Sequence, residues 1–200
     1  KVIIGLGNPG NEYTKTRHNI GRVLVKHIAE SFALRFSKKR RLQASVVSLE
    51  WEEHPVLLAY PETWMNLSGQ AVKLLIRHFK VNPTENLLVV MDDAALPFGR
   101  LRLRPKGSDG GHKGLRSIQE VLETQDYPRL RIGIGQPNGQ GGEGKPHDLS
   151  MTDYVLGCLD PAELQMLPKV LDQGMEACRL WVTRSITAAM DVVNSTCKRV

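Results

Sequence analysis

The sequence predicts an α/β fold in one domain, and three observations predict it. Short apolar runs alternate along the chain with segments of helical period, as expected when strands and helices exchange. Two hundred residues, 41% of them hydrophobic, are enough to bury one good core and short for two. The apolar runs are only a handful of residues long, far below the ~18 to 20 needed to cross a bilayer.

The elements follow in order. "VIIGL" reads as the first strand, and "IGRVLVKHIAESF" has helical period from near Asn19. "QASVVSL" and "PVLLAY" read as strands, "LSGQAVKLLIRHF" as a helix starting near Ser68, and "LLVVM" as a further strand. "RLRLR" is a strand by strict alternation, "GLRSIQEVLET" a helix from near Gly114, and "LRIGIG" the last strand. "GQPNGQGGEGKPH" holds five glycines and two prolines in thirteen residues. We expect residues 136–148 to form a mobile loop, because too little chain follows for a second core. Two C-terminal helices complete the chain, the first with Asp160 as N-cap and Pro161 at its first position. The N-terminal "KVIIGLGNPG" leads straight into a strand and not into a signal peptide, so the expected location is the cytoplasm, with no membrane partner.

Charge and cysteine content narrow the function. Lys and Arg number 27 against 21 acids, for a formal net charge of +6, which suits a polyanionic partner. The excess is clustered in "SKKRR", read as a solvated run, and in "GRLRLRPKG". Arg100, Arg102 and Arg104 alternate with Leu101 and Leu103, so three guanidinium groups share one strand face, either tracking phosphates or simply solvated. Cys158, Cys178 and Cys197 have neither disulfide nor zinc spacing and read as buried thiols.

Gly5-Leu6-Gly7-Asn8-Pro9-Gly10 satisfies G-x-G-x-x-G after a strand. Pro9 and Gly10 make a turn where a dinucleotide fingerprint needs a helix, and the acid about 20 residues on, Glu30, falls on that later helix. "GSDGGHKGL" fails as a P-loop, since Gly114 stands where a magnesium-binding Ser or Thr belongs. No H-E-x-x-H and no carboxylate cluster points to a metal, and no nucleophile elbow is present. The polar residues instead gather at strand ends, where α/β sheets place their sites: Asn8, then Trp64, Met65 and Asn66, then Asp92 and Asp93, then Gln136. Of the histidines, His18 and His112 lie in polar segments leading into helices. A neutral histidine oriented by a carboxylate deprotonates water near neutral pH, which makes His18 with Asp92 the candidate pair.

The segments "GLGNPGNEYTKTRHNIG", "WMNLSGQAV", "DDAALPFGRLRLRPKGSDGGHKGLRSI", "YPRLRIGIGQP" and "DYVLGCLDPAEL" together resemble bacterial-type peptidyl-tRNA hydrolase, in order and over nearly the whole chain. The resemblance implies one domain over 1–200, monomeric, with a twisted mixed β-sheet flanked by α-helices. It implies hydrolysis of the ester between a peptide and the terminal ribose of tRNA, without cofactor. It places the catalytic histidine at His18, its supporting aspartate at Asp92, and discrimination of peptidyl from free aminoacyl substrate at Asn8. Tyr13, Trp64 and Asn66 fall at substrate positions, with Met65 beside them as an apolar wall; in the hydrolysis so implied, Asn66 or a nearby donor is expected to stabilise the oxyanion. Arg102, Arg104 and Arg131 fall at positions that meet tRNA phosphates, and His112 and Lys113 lie beside the channel. Two departures from the family pattern stand out: Ala95 replaces a frequent acid, and Lys113 replaces the asparagine of "GHNG" and can donate but not accept a hydrogen bond. Two alternatives remain: a non-catalytic RNA-binding protein on the same scaffold, and a nucleotide-dependent enzyme using "GLGNPG" and "GIGQPNG".

Overall fold

The chain runs through β1 (Val2–Gly5), α1 (Ile20–Ser31), β2 (Ser37–Lys39), β3 (Ala44–Trp51), β4 (His54–Pro61), α2 (Ser68–Phe79) and the one-turn α3 (Pro83–Asn86). It continues through β5 (Leu87–Asp93), β6 (Leu101–Arg104), α4 (Lys113–Leu122), β7 (Arg129–Gly133), α5 (Met151–Leu156), α6 (Pro161–Thr183) and α7 (Ile186–Thr196). The structure, a computed structural model, describes residues 1–136 and 150–196.

The seven strands form one sheet in the order β2-β3-β4-β1-β5-β7-β6. The central β4, β1, β5 and β7 are parallel, and the outer β2, β3 and β6 join antiparallel. Parallel strands must be buried on both faces, and the alternation of side chains divides them between two cores. Ile3, Leu88, Val90 and Leu130 face α1 and α6 with Leu24, Ile28 and Trp181. Val2, Ile4, Val89 and Met91 face α2 and α4 with Val72, Leu75, Leu115 and Ile118. The expected α/β domain with a mixed sheet and flanking helices is therefore present.

Two close approaches bring the functional strands and helices together. A Cβ on Gly21 would overlap the Val90 carbonyl oxygen, so only glycine lets α1 lie this near β5. The same holds for Gly69 against the backbone of Ser117, where α2 meets α4. At the edge strand β6, the Asn194 amide takes the place of a neighbouring strand, accepting from Leu103 N at 2.9 Å and donating to Leu103 O at 3.1 Å.

The differences from the sequence reading are local. "SKK" forms the exposed edge strand β2, an element that its charge concealed. α5 has six residues, too few to show a period, and starts at an N-cap serine, Ser150, which accepts from Asp153 N. α4 begins at Lys113, one residue earlier than expected. The buried-thiol reading holds for Cys178 but not for Cys158, which is exposed; Cys197 lies outside the described residues. The expected loop at 136–148 lies outside them as well, apart from Gln136.

Candidate active site

The carboxyl ends of β1, β4, β5 and β7 open into a cavity of about 1000 Å³. It lies outside the strand ends around β1, where the connections diverge to the two faces of the sheet. The turn after β1 is fixed by Asn19, whose Oδ1 accepts from Asn8 N at 2.8 Å and whose Nδ2 donates to Asn8 O at 2.9 Å. Asn8 Oδ1 in turn accepts from Met65 N at 2.9 Å. That contact sets the amide orientation: the oxygen is turned to the Met65 backbone, and Nδ2 supplies the donors of a residue that lines the cavity.

Asp92 stands at the end of β5, buried, between two imidazoles. His18 Nδ1 lies 2.9 and 3.0 Å from its two oxygens, and His112 Nε2 lies 3.0 Å from Oδ1. Burial alone would raise the Asp92 pKa, but the His18 and His112 imidazoles outweigh it and hold the carboxyl well below the usual carboxylate range. An ionised Asp92 accepts only, so His18 bears its proton on Nδ1 and leaves the Nε2 lone pair free to take one. His112 is fixed from its other side. Its Nδ1 accepts from Gly114 N at 3.1 Å and Leu115 N at 3.2 Å, capping α4, so the ring proton sits on Nε2 and points at Asp92.

His18, Asp92 and His112 also bring three potential metal-ligand atoms within 4.8 Å of one another. The donor set does not suit a metal. For His112 Nε2 to ligate, its proton would have to move to Nδ1, where it would confront two backbone N–H groups.

The remaining residues surround this group at different depths. Met65 is buried and Trp64 is 48% exposed, its ring edge-to-face with Tyr13 at 5.7 Å. Trp64, Met65, Asn66, Lys113 and Gln136 line the cavity; Tyr13 does not, and reaches it only by supporting Trp64. Arg104 and Arg131 line it, whereas Arg102 lies beside them on the same sheet face, opposite Arg131 in register. Arg131 is also ion-paired with the buried Asp93 through Nε.

Sequence reasoning missed two contributors. Arg129 is buried opposite Arg104, stacks on Tyr127, and donates to Ser108 O and Gln125 O while its Nε has no hydrogen-bond partner. Burial lowers its pKa. The alternation Arg129-Leu130-Arg131 repeats that of "RLRLR" and was the available signal. The second is α5, whose Met151, Thr152, Val155 and Leu156 wall the cavity and whose sequence carries no chemical motif.

Comparison with known proteins agrees with this architecture. The sequence model of a family described as peptidyl-tRNA hydrolase matches residues 2–199. A peptidyl-tRNA hydrolase of Parabacteroides distasonis is 43% identical over 194 residues, spanning 97% of this chain and 98% of that protein. One of Chloroflexus aggregans is 45% identical over 193 residues, spanning 96% and 98%. The crystal structure of peptidyl-tRNA hydrolase from Acinetobacter baumannii superposes with a TM-score of 0.86 at 32% identity, covering 98% of this chain and 94% of that one.

Proposed function

The chain belongs to the peptidyl-tRNA hydrolase family, whose members hydrolyse the ester of peptidyl-tRNA, and we propose that His18 is the general base of this reaction. The observation that carries the reading is the contact of His18 Nδ1 with both oxygens of Asp92, whose ionised form takes a donor there and leaves Nε2 as the ring nitrogen without that contact, in a residue that lines the cavity. Nε2 takes a proton from water, the hydroxide adds to the ester carbonyl, and the 3′-terminal ribose hydroxyl departs. Asn66, on the cavity wall, donates to the oxyanion. Asn8, its oxygen turned to the Met65 backbone, presents Nδ2 donors, which suit the amide carbonyl of a peptidyl group and not the ammonium of a free aminoacyl group.

Trp64 offers an exposed face on which the terminal base of tRNA stacks. Arg102, Arg104 and Arg131 receive its phosphates, with Lys113 adding a cation at the cavity wall and His112 holding Asp92. No step requires a metal or a cofactor. We take the working unit to be a monomer acting on peptidyl-tRNA in the cytoplasm, where tRNA is used. No helix among the described residues is long and apolar enough to cross a membrane.

The test is cleavage of an N-acetylated aminoacyl-tRNA beside its unblocked counterpart. The protein is expected to cleave only the blocked form, and His18→Ala to lower kcat by about 10²- to 10⁴-fold with little change in KM. Near-normal turnover by His18→Ala would overturn the assignment of the base. Tight binding of tRNA without cleavage by the unaltered protein would return it to a non-catalytic RNA binder.

A further inference from the structure

Immediately before His18 lies a buried ion pair that is not part of the cavity lining. Arg17 donates from Nη2 to Glu163 Oε2 at 2.6 Å and from Nε to Oε1 at 3.3 Å. The two side chains are 6% and 9% exposed. Glu163 is itself held: it belongs to the capping box of α6, accepting from Asp160 N at 2.8 Å while its own N–H donates to Asp160 Oδ1 at 2.8 Å. The Arg17 guanidinium lies over the Tyr154 ring at 4.5 Å, and the Tyr154 hydroxyl donates to Ile134 O at 2.7 Å. Two backbone bonds, Arg17 N to Gly157 O and Leu159 N to Lys15 O, close a short antiparallel bridge around Thr16 and Cys158.

We infer that Arg17 and Glu163 form a positioning clamp for His18, an inference that rests on the reading of His18 as the base. The short segment carrying His18 is a single turn of 3-10 helix without a side-chain cap, and its conformation is not self-sustaining. Asp92 fixes the imidazole from the sheet side, and the clamp fixes the backbone from the α5–α6 side. Burying two charges carries a solvation cost that a well-packed apolar pair would avoid. What the ion pair adds is bidentate geometry: it ties residue 17 rigidly to the first turn of a 23-residue helix. The same clamp joins the base to α5, through Tyr154, so the wall of the cavity and the proton acceptor are set by one contact.

The clamp acts through His18, and a double-mutant cycle reads that directly. Glu163→Gln is expected to lower kcat by about 10- to 100-fold, with KM for blocked aminoacyl-tRNA within about twofold, since misplacing a reacting group by about 1 Å costs that much. In a His18→Ala background the same substitution is expected to change the residual single-turnover rate by less than about twofold. An equal loss in both backgrounds would make the ion pair a general support of the fold and overturn the clamp. Because Glu163→Gln leaves a buried guanidinium unpaired, the charge-free pair Arg17→Met with Glu163→Met is measured in parallel. That pair is expected to melt within a few degrees of the parent and still show the kcat loss; parental kcat in it would equally overturn the clamp. Failure of the base assignment is seen separately, as retained activity in His18→Ala alone.

Discussion

Asp92 accepts hydrogen bonds from two histidines that do different work. Its depressed pKa makes its ionised form a source of stability that is fully present above the ordinary carboxylate pKa of about 3.9 and lost only as pH falls through the lower folded value. Asp92 therefore stays charged at and well below neutral pH. His112 serves both α4, as an imidazole N-cap, and Asp92, as a donor, and substitutions separate the two roles. His112→Ala is expected to lose both, dropping the melting temperature by about 2 to 4 °C for a cap of about 1 kcal/mol and reducing kcat as well. Asparagine is among the best caps but is too short to span from the helix end to Asp92. His112→Asn is thus expected to recover the melting temperature in a thermal scan while kcat stays low. Recovery of both would mean that the bond to Asp92 is dispensable.

The candidate base and its carboxylate stand on elements whose placement depends on a contact invisible in one dimension. His18 precedes α1, Asp92 is the penultimate residue of β5, and Gly21 is where the helix touches the strand. Gly21→Ala is expected to push α1 from β5, at about 1 to 3 kcal/mol, lowering the melting temperature by about 2 to 12 °C and lengthening the His18 to Asp92 contact. A kcat loss in assays run well below the melting point checks the second effect; unchanged kcat would show that the imidazole follows Asp92 and not its helix. The strands and long helices were legible because "LLVVM" and "LSGQAVKLLIRHF" carry their period over enough residues to declare it. The polar strand ends were legible because an apolar run stops there. α5 and β2 were not, since a six-residue helix and a three-residue charged edge lack a period to read. Nor was the partner of Arg17, because an ion pair across 146 positions leaves no trace in local spacing.

On the scale of the molecule, the net charge of +6 is unevenly used. Arg102 and Arg104 face Arg131 and Arg129 across β6 and β7, four like charges on one sheet face, while the leucines between them enter the core. Directly opposed like charges destabilise a sheet. The protein relieves two of them, Arg131 with Asp93 and Arg129 with the carbonyls of Ser108 and Gln125, and leaves the outer pair without an acidic partner among the described residues. The second basic run lies at the other edge of the sheet, where Lys39 pairs with Ala44 and Ala44 with Pro61, so it too reaches the end of the sheet on which the cavity opens. Net attraction to tRNA and direct phosphate contact can therefore be told apart. Arg102→Glu with Arg104→Glu and Lys39→Glu with Arg41→Glu change the total charge equally. Each phosphate contact contributes about 0.7 to 0.9 to the slope of log affinity against log salt. The arginine pair is expected to flatten that slope by about 1 to 2, measured as KM for blocked aminoacyl-tRNA between 50 and 200 mM salt (roughly the range over which counterion release is felt). The Lys39 and Arg41 pair is expected to raise KM slightly and leave the slope within about 0.3 of the parent, since a distant field is screened beyond about 10 Å at 0.1 M salt. Equal flattening by both pairs would assign the attraction to the field of the whole molecule and remove the β6 arginines from the phosphate path.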